Sequence, residues 1–224
     1  MKSLLTTTCL VAVVGMSSVA SANMLNNPGF EDPLGFDFSV ATNWNGFFGG
    51  PPGVTLAAFN DVLPASEANS GNQALFLRIT GNTDNPTVPT TPGFDSFTGH
   101  VQQIPGISAG VEYVASIFAK EIVNSGNAVE FRIEWFDAGD GPLGSNQILL
   151  QDDLTSEYQQ FEVSAVAPPT ATRANVVLAV QSFVNDGVFA NIQIAADDAS
   201  FGIVPEPASA ALLALGGLAA FRRR

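Results

Sequence analysis

The sequence predicts an all-β protein built as a two-sheet sandwich, and three observations carry that expectation. Glycine and proline are frequent (21 and 14 of 224 residues). Segments of strand character are short, and no long segment repeats its apolar residues every 3.6 positions as an amphipathic helix would. The clearest strand is Ala128–Phe136, in which Val129, Phe131, Ile133 and Trp135 alternate with Glu130, Arg132 and Glu134. Successive side chains of a strand point to opposite faces, so the first set belongs to a core and the second to a polar face.

The remaining elements follow in order. Asn26–Glu31 (NNPGFE) reads as a turn leading into a short edge segment, and Trp44–Gly53 as an aromatic loop full of backbone-bending residues. Val54–Phe59 reads as a strand, and the turn Ser70-Gly71-Asn72 delivers a second one, Gln73–Ile79. Gly81–Gly99, rich in Thr, Pro, Gly and Asp, holds no obvious strand and reads as a long loop of the kind that is usually functional or mobile. A strand starts in Gly99–Ile104; turns at Pro105-Gly106 and Ala109-Gly110 lead into Val111–Lys120, and Asn124–Asn127 turns into Ala128–Phe136. After a turn at Asp137–Ser145 come Gln147–Leu150, Tyr158–Ala165, Ala174–Phe183 and Gly187–Phe201. Eight or nine strands at this spacing make a sandwich of the jelly-roll kind.

The two ends read as addresses. Lys2 supplies a positive start, Leu10–Val14 and its neighbours an apolar stretch, and Ala20-Ser21-Ala22 a small-residue cleavage box. Residues 1–22 are therefore expected to be a signal peptide, read by the Sec export machinery and cut by signal peptidase after Ala22. Cys9 is the single cysteine and lies within it, so the mature domain is expected to be free of disulfides. Four of the eight basic residues (Lys2, Arg222, Arg223, Arg224) and one of the 21 acids (Glu206) lie in the two ends. Residues 23–203, enough for one domain with a real core, thus keep four bases against twenty acids, a net charge near −16. Such a surface argues against nucleic acid or anionic lipid as partners, since both need a basic face.

At the other end, Pro205-Glu206-Pro207 cannot join a helix or a sheet interior, because each proline fixes φ and lacks an N–H. Ala208–Phe221 is uncharged and reads as a short apolar helix, with Arg222-Arg223-Arg224 holding its far end in the cytoplasm. At about 14 residues it is below the ~20 that cross a bilayer, which suits a temporary stop better than a permanent anchor. Residues 204–224 resemble the PEP-CTERM sorting signal of Gram-negative bacteria. That resemblance implies cleavage near Pro205-Glu206-Pro207 by an exosortase. It further implies an inner-membrane intermediate held by the apolar helix, then delivery to the cell surface or the extracellular, biofilm-forming matrix.

A second resemblance lies in the mature domain. Asn27–Glu31 (Asn-x-x-Phe-Glu), Trp44, Ser70–Leu75 (Ser-Gly-Asn-x-Ala-Leu), Gly110–Lys120 and Asp197–Phe201 (Asp-Asp-Ala-Ser-Phe) occur in the order seen in jelly-roll carbohydrate-binding modules of the galactose-binding-like superfamily. The resemblance implies that the first and last strands are neighbours. Glu31 and Asp198 would then meet and, with turn carbonyls, bind a structural Ca²⁺ that clips the two ends together. Asp197 is the rival ligand, and Asn27 and Ser70–Gln73 could add oxygens; the alternative is that both acids are solvated or bond to backbone. Trp44, Phe47 and Phe48 could stack on sugar rings, or Trp44 could cap the core, the more usual role for an aromatic beside Gly and Pro. Glu130, Arg132 and Glu134 could form the polar floor of a sugar-binding sheet or be an ordinary solvated face.

No catalytic constellation is legible. His100, the single histidine, has no serine or acid at a recognisable spacing, and no phosphate loop or zinc spacing occurs. The expectation is therefore an exported, non-enzymatic protein that binds extracellular polysaccharide. A structural or adhesin-like surface protein without a small ligand is the first alternative, and a glycan-active hydrolase the second.

Overall fold

The computed structural model describes residues 22–32, 41–50, 55–61, 68–80, 96–124, 126–182 and 191–204, which belong to one unit, Ala22–Val204. The signal-peptide and sorting-helix expectations (residues 1–21 and 205–224) and residues 81–95 of the expected long loop lie outside the described residues. No helix of the described residues is long and apolar enough to cross a membrane.

Ten strands are present among the described residues: β1 (Asn45–Gly49), β2 (Thr55–Asp61), β3 (Ala74–Thr80), β4 (Ser96–Pro105), β5 (Glu112–Asn124), β6 (Ala128–Phe136), β7 (Pro142–Leu149), β8 (Gln159–Val166), β9 (Arg173–Ser182) and β10 (Asn191–Ile203). They form two five-stranded antiparallel sheets of order β1-β4-β9-β6-β7 and β2-β3-β10-β5-β8, a jelly-roll sandwich. Strands that are distant in sequence alternate across each sheet, so most pairings are long-range, as in other Greek-key sandwiches.

Inward-facing residues of both sheets fill the core. Val129, Phe131, Ile133 and Trp135 are buried as their alternation requires, and they meet Ile104, Val176, Leu178 and Val180 of the same sheet and Leu75, Leu77, Ile79, Ile117, Ile192 and Ile194 of the other. Each such side chain contributes about 2 kcal/mol on burial. Tyr113 stacks on Phe201 (5.3 Å between ring centres), and its hydroxyl accepts the Ser108 N–H at 2.9 Å, so its polar end is satisfied.

Five elements depart from the sequence reading within the described residues. β1 forms inside the expected Trp44–Gly53 loop, β4 begins at Ser96 rather than Gly99, β7 extends back to Pro142 through an expected turn, β5 runs on to Asn124 past Lys120, and β10 ends at Ile203 rather than Phe201. Pairing decides them: β1 and β7, which hold poor local strand formers, are sheet edges zipped to β4 and β6 along one side. The N-terminal segment forms no strand of its own, yet it is laced to β10. Met24 N–H donates to Phe201 O (2.8 Å), Ala199 N–H to Pro28 O (2.8 Å), and Asn23 Oδ1 accepts from Phe201 N–H (3.0 Å).

Candidate functional site

The outer face of the β1-β4-β9-β6-β7 sheet gathers the chemistry. Register places Phe47, Gly99, Ala179, Glu130 and Leu149 in one cross-strand row, and Asn45, Val101, Val177, Arg132 and Gln147 in the next. Flanking rows align Gly49, Phe97, Gln181 and Ala128 on one side, and Gln103, Asn175, Glu134 and Ser145 on the other.

At the β1–β4 end two phenyl rings make a platform. Phe47 lies opposite Gly99, and Phe97 opposite Gly49. A Cβ on Gly99 would fall 2.5 Å from Phe47 Cζ, and one on Gly49 would fall 2.6 Å from Phe97 Cζ. Each ring therefore occupies the space that the facing glycine leaves empty. The ring centres are 6.2 Å apart and tilted by 41°, and Phe97 remains 43% exposed. Large apolar surface left in water on a sheet face is a docking feature when it is rimmed by polar groups.

The rim is the β6 ladder. Arg132 donates through Nη1 to Glu130 Oε2 and through Nε to Glu134 Oε1, each at 2.8 Å. From β9, Gln181 Nε2 donates to Glu130 Oε2, and Asn175 Nδ2 to Glu134 Oε2 at 3.0 Å. The carboxylates thus hold one guanidinium and two amides in a fixed array, while Asn175 Oδ1 is buried with no donor among the described residues. The fan of charge-assisted bonds immobilises long side chains in advance, so a ligand does not have to order them.

Not every expected site residue joins this face. Trp44 is only 4% exposed, tilts against Phe30 with 5.1 Å between ring centres, and donates from Nε1 to Asn27 O at 3.2 Å. It caps the core and leaves the candidate binding set. Phe48 is 71% exposed but on the opposite side of β1 from Phe47. Phe97 is a member that sequence reading missed, because it sits at the end of a stretch read as loop. The signal that could have found it is the pair of Phe-x-Gly triplets, Phe47–Gly49 and Phe97–Gly99, which match reciprocally across two strands.

A second cluster forms at the other sheet. Asp197 Oδ2 accepts the N–H groups of Asn69 (3.1 Å) and Ser70 (3.0 Å), and its Oδ1 accepts that of Asp198 (2.7 Å). Asp198 accepts from Asn69 Nδ2 and from the Ser70 hydroxyl, both at 2.7 Å. Glu31 Oε1 accepts the N–H groups of Asn72 (2.8 Å) and Gln73 (3.0 Å). Gly71 makes this possible: its φ is +65°, and a Cβ there would fall 2.1 Å from Glu31 Oε1. Burial pushes the Asp197 carboxyl up to about 6, helped by the neighbouring Asp198 and opposed by the main-chain donors. Glu31 and Asp198 do converge, since a Cβ on Gly29 would lie 3.7 Å from Asp198 Oδ1 and 3.8 Å from both Asp197 Oδ1 and Glu31 Cγ. As placed, these acids bind the 69–73 turn, and no three Asp, Glu, His or Cys side chains among the described residues are grouped to hold a metal ion.

His100 is fully buried on the inner face of β4 with neither ring nitrogen partnered among the described residues, and burial lowers it to about 4. It is a neutral core residue.

Residues 204–224 match the family model described as the PEP-CTERM protein-sorting motif, so the chain is a β-sandwich protein ending in that motif, which marks it for export and sorting to the cell envelope. Solved structures show the same sandwich architecture. The enzymatically active domain of tailspike protein 4 of bacteriophage CBA120 is 18% identical, with a TM-score of 0.54 over 81% of this chain and 21% of that one. An arabinose-bound α-L-arabinofuranosidase is 15% identical, with a TM-score of 0.52 over 82% of this chain and 26% of that one. A carbohydrate-binding module in complex with β-1,4-galactotriose is 20% identical, with a TM-score of 0.47 over 83% of this chain and 100% of that one. This chain thus spans about a fifth to a quarter of the first two proteins. No curated protein matches it.

Proposed function

We propose that the protein is a non-catalytic polysaccharide-binding protein of the cell envelope or its extracellular matrix, and that the β1-β4-β9-β6-β7 face is its glycan site. The observation that carries this is the juxtaposition of the Phe47–Phe97 platform with the clamped Glu130–Arg132–Glu134 ladder. Sugars present C–H faces that suit an aromatic plane and hydroxyls that suit charged, bidentate partners, and both features stand on one sheet. On this face the ladder argues against Glu130 and Glu134 as a glycosidase pair. A glycosidase needs one carboxylic acid free to protonate the leaving oxygen, whereas Glu130 and Glu134 are each committed to a guanidinium and an amide donor. Retardation in glycan-containing gels that disappears in Phe47→Ala and Phe97→Ala variants supports this reading. Migration unaffected by every glycan points instead to a spacer or adhesin-like role, and release of reducing sugar to a hydrolase.

Processing is part of the same reading. The signal peptide is removed after Ala22, the apolar segment 208–221 stalls in the inner membrane, and exosortase cuts near Pro205-Glu206-Pro207, leaving the sandwich outside the cell. Mass spectrometry of the protein recovered from the cell surface and medium tests both ends at once. Intact Met1 and Arg224 in that protein reject the scheme.

A structural Ca²⁺ belongs to the proposal as well, with Glu31 and Asp198 as its carboxylates, Asp197 as the rival, and Asn69 and Ser70 as nearby oxygen donors. The set is all hard oxygen, as calcium requires, and Glu31 and Asp198 both lie beside Gly29 with no basic partner among the contacts described. An unchanged melting temperature in chelator removes calcium from the account.

A further inference from the structure

The mature domain carries four basic side chains against twenty acids, and each of the four is already engaged. Arg132 is held between Glu130 and Glu134. Arg173 meets Asp140 at 2.6 Å and lies over the Phe136 ring at 4.4 Å. Lys120 stands over the Tyr158 ring at 4.8 Å, and Arg78 also has a partner. An anionic ligand therefore finds no uncommitted cation to pair with. On the proposed glycan face the balance is also negative, since two carboxylates share one guanidinium. The amides of β9 turn their N–H groups toward those carboxylates, which leaves an acceptor, Asn175 Oδ1, buried and without a donor among the described residues. A sugar hydroxyl can donate to the partly exposed Glu134 carboxylate. A uronate or sulfate adds a further acceptor and a like charge beside Glu130, with repulsion unscreened at low salt.

We propose that this face selects uncharged polysaccharide and rejects uronate- or sulfate-bearing chains, with Glu130 and Glu134 as the specificity-determining residues. This rests on the reading of the face as a glycan site. Affinity electrophoresis of the full-length protein tests it, using β-1,4-galactan, a soluble β-glucan and a mannan, each beside the same polymer oxidised at C6 to the uronate. The expected result is retardation by at least one neutral polymer, with its oxidised form at least about ten-fold weaker at low salt and the gap closing as salt is raised. The Glu130→Gln/Glu134→Gln double variant releases Arg132 and is expected to narrow that gap to within about three-fold. Equal or stronger retardation by the oxidised polymers overturns the proposal, as does a double variant that discriminates as sharply as the parent. Should no polymer of either kind retard the protein, or should Phe47→Ala bind as well as the parent, the glycan site itself is wrong and the charge selection falls with it.

Discussion

Two groups of acids in this molecule solve the same electrostatic problem in different ways. On β6, Glu130 and Glu134 are held by side chains: one guanidinium between them and two amides from β9. At the other sheet, Glu31, Asp197 and Asp198 are held mainly by main-chain N–H groups of the 69–73 turn and by the short side chains of Asn69 and Ser70. The first arrangement is carried by rigid strands, with Glu130 buried and Arg132 and Glu134 partly exposed, where they can meet a ligand. The second depends on one loop conformation and ties three stretches of chain together. Charge held by side chains is thus available for recognition, whereas charge held by backbone is committed to architecture.

Breaking the backbone-held group is expected to cost most. Gly71→Ala meets both a left-handed φ and a Cβ 2.1 Å from Glu31 Oε1, so it displaces the carboxylate and strains the turn, at about 3–4 kcal/mol. For a domain of this size that is a fall in melting temperature of roughly 10 °C; a fall under a couple of degrees would show the turn to be unconstrained. Next comes Gly99→Ala, whose Cβ would crowd Phe47 Cζ and the Leu178 carbonyl, each at 2.5 Å. The expectation is about 2 kcal/mol of destabilisation and loss of glycan retardation, because the ring is lifted off the sheet. Stability loss without any change in glycan binding would separate the platform from the site.

The comparison sharpens with one matched pair. Glu31→Gln removes the charge from two bonds to backbone donors and is expected to cost about 2 kcal/mol, while Glu130→Gln costs about 1 kcal/mol, since the Gln181 amide and Arg132 readjust. Denaturant midpoints read both, and the reverse order would contradict the division drawn above. The smallest effect concerns pH. His100, lowered to about 4 by burial, is neutral in the fold, so the unfolded chain binds more protons between about 6.5 and 4, and stability is lost as pH falls through that window. Asp197, raised to about 6, works in the opposite sense: its contribution is full below the ordinary carboxylate range and is lost as pH rises through about 6. The two nearly offset between pH 4 and 6. His100→Leu should therefore unmask a stability that rises toward pH 4, and Asp197→Asn should leave one that falls; parallel pH profiles for the two variants would refute both assignments.

Much of this was legible from the residues. The alternation in β6 announced the core set and the polar set correctly, and the Ser70-Gly71-Asn72 turn was placed before its role was visible. Phe97, β1 and the backward reach of β7 were not, since the Gly, Asn and Pro residues in and around these segments carry little strand preference of their own. Those segments become strands because an edge of a formed sheet offers them hydrogen bonds. Trp44 shows the limit from the other side: an aromatic beside glycines suits a ligand platform and a core cap equally well, and only its neighbours distinguish them.

By itself the sequence determined the all-β class, the two polar and apolar faces of the central strand, the acidic balance and the sorting motif at its end. All of these depend on local alternation, composition or short contiguous patterns. Tertiary structure alone decided which phenylalanines share a face, how Gly99 and Gly49 make room for them, and that Glu31 and Asp198, 167 positions apart by their numbering and expected to meet from the resemblance, are both held by the 69–73 turn. Antiparallel register joins residues that are remote in sequence, and which residues it brings together depends on how the whole sandwich closes its core.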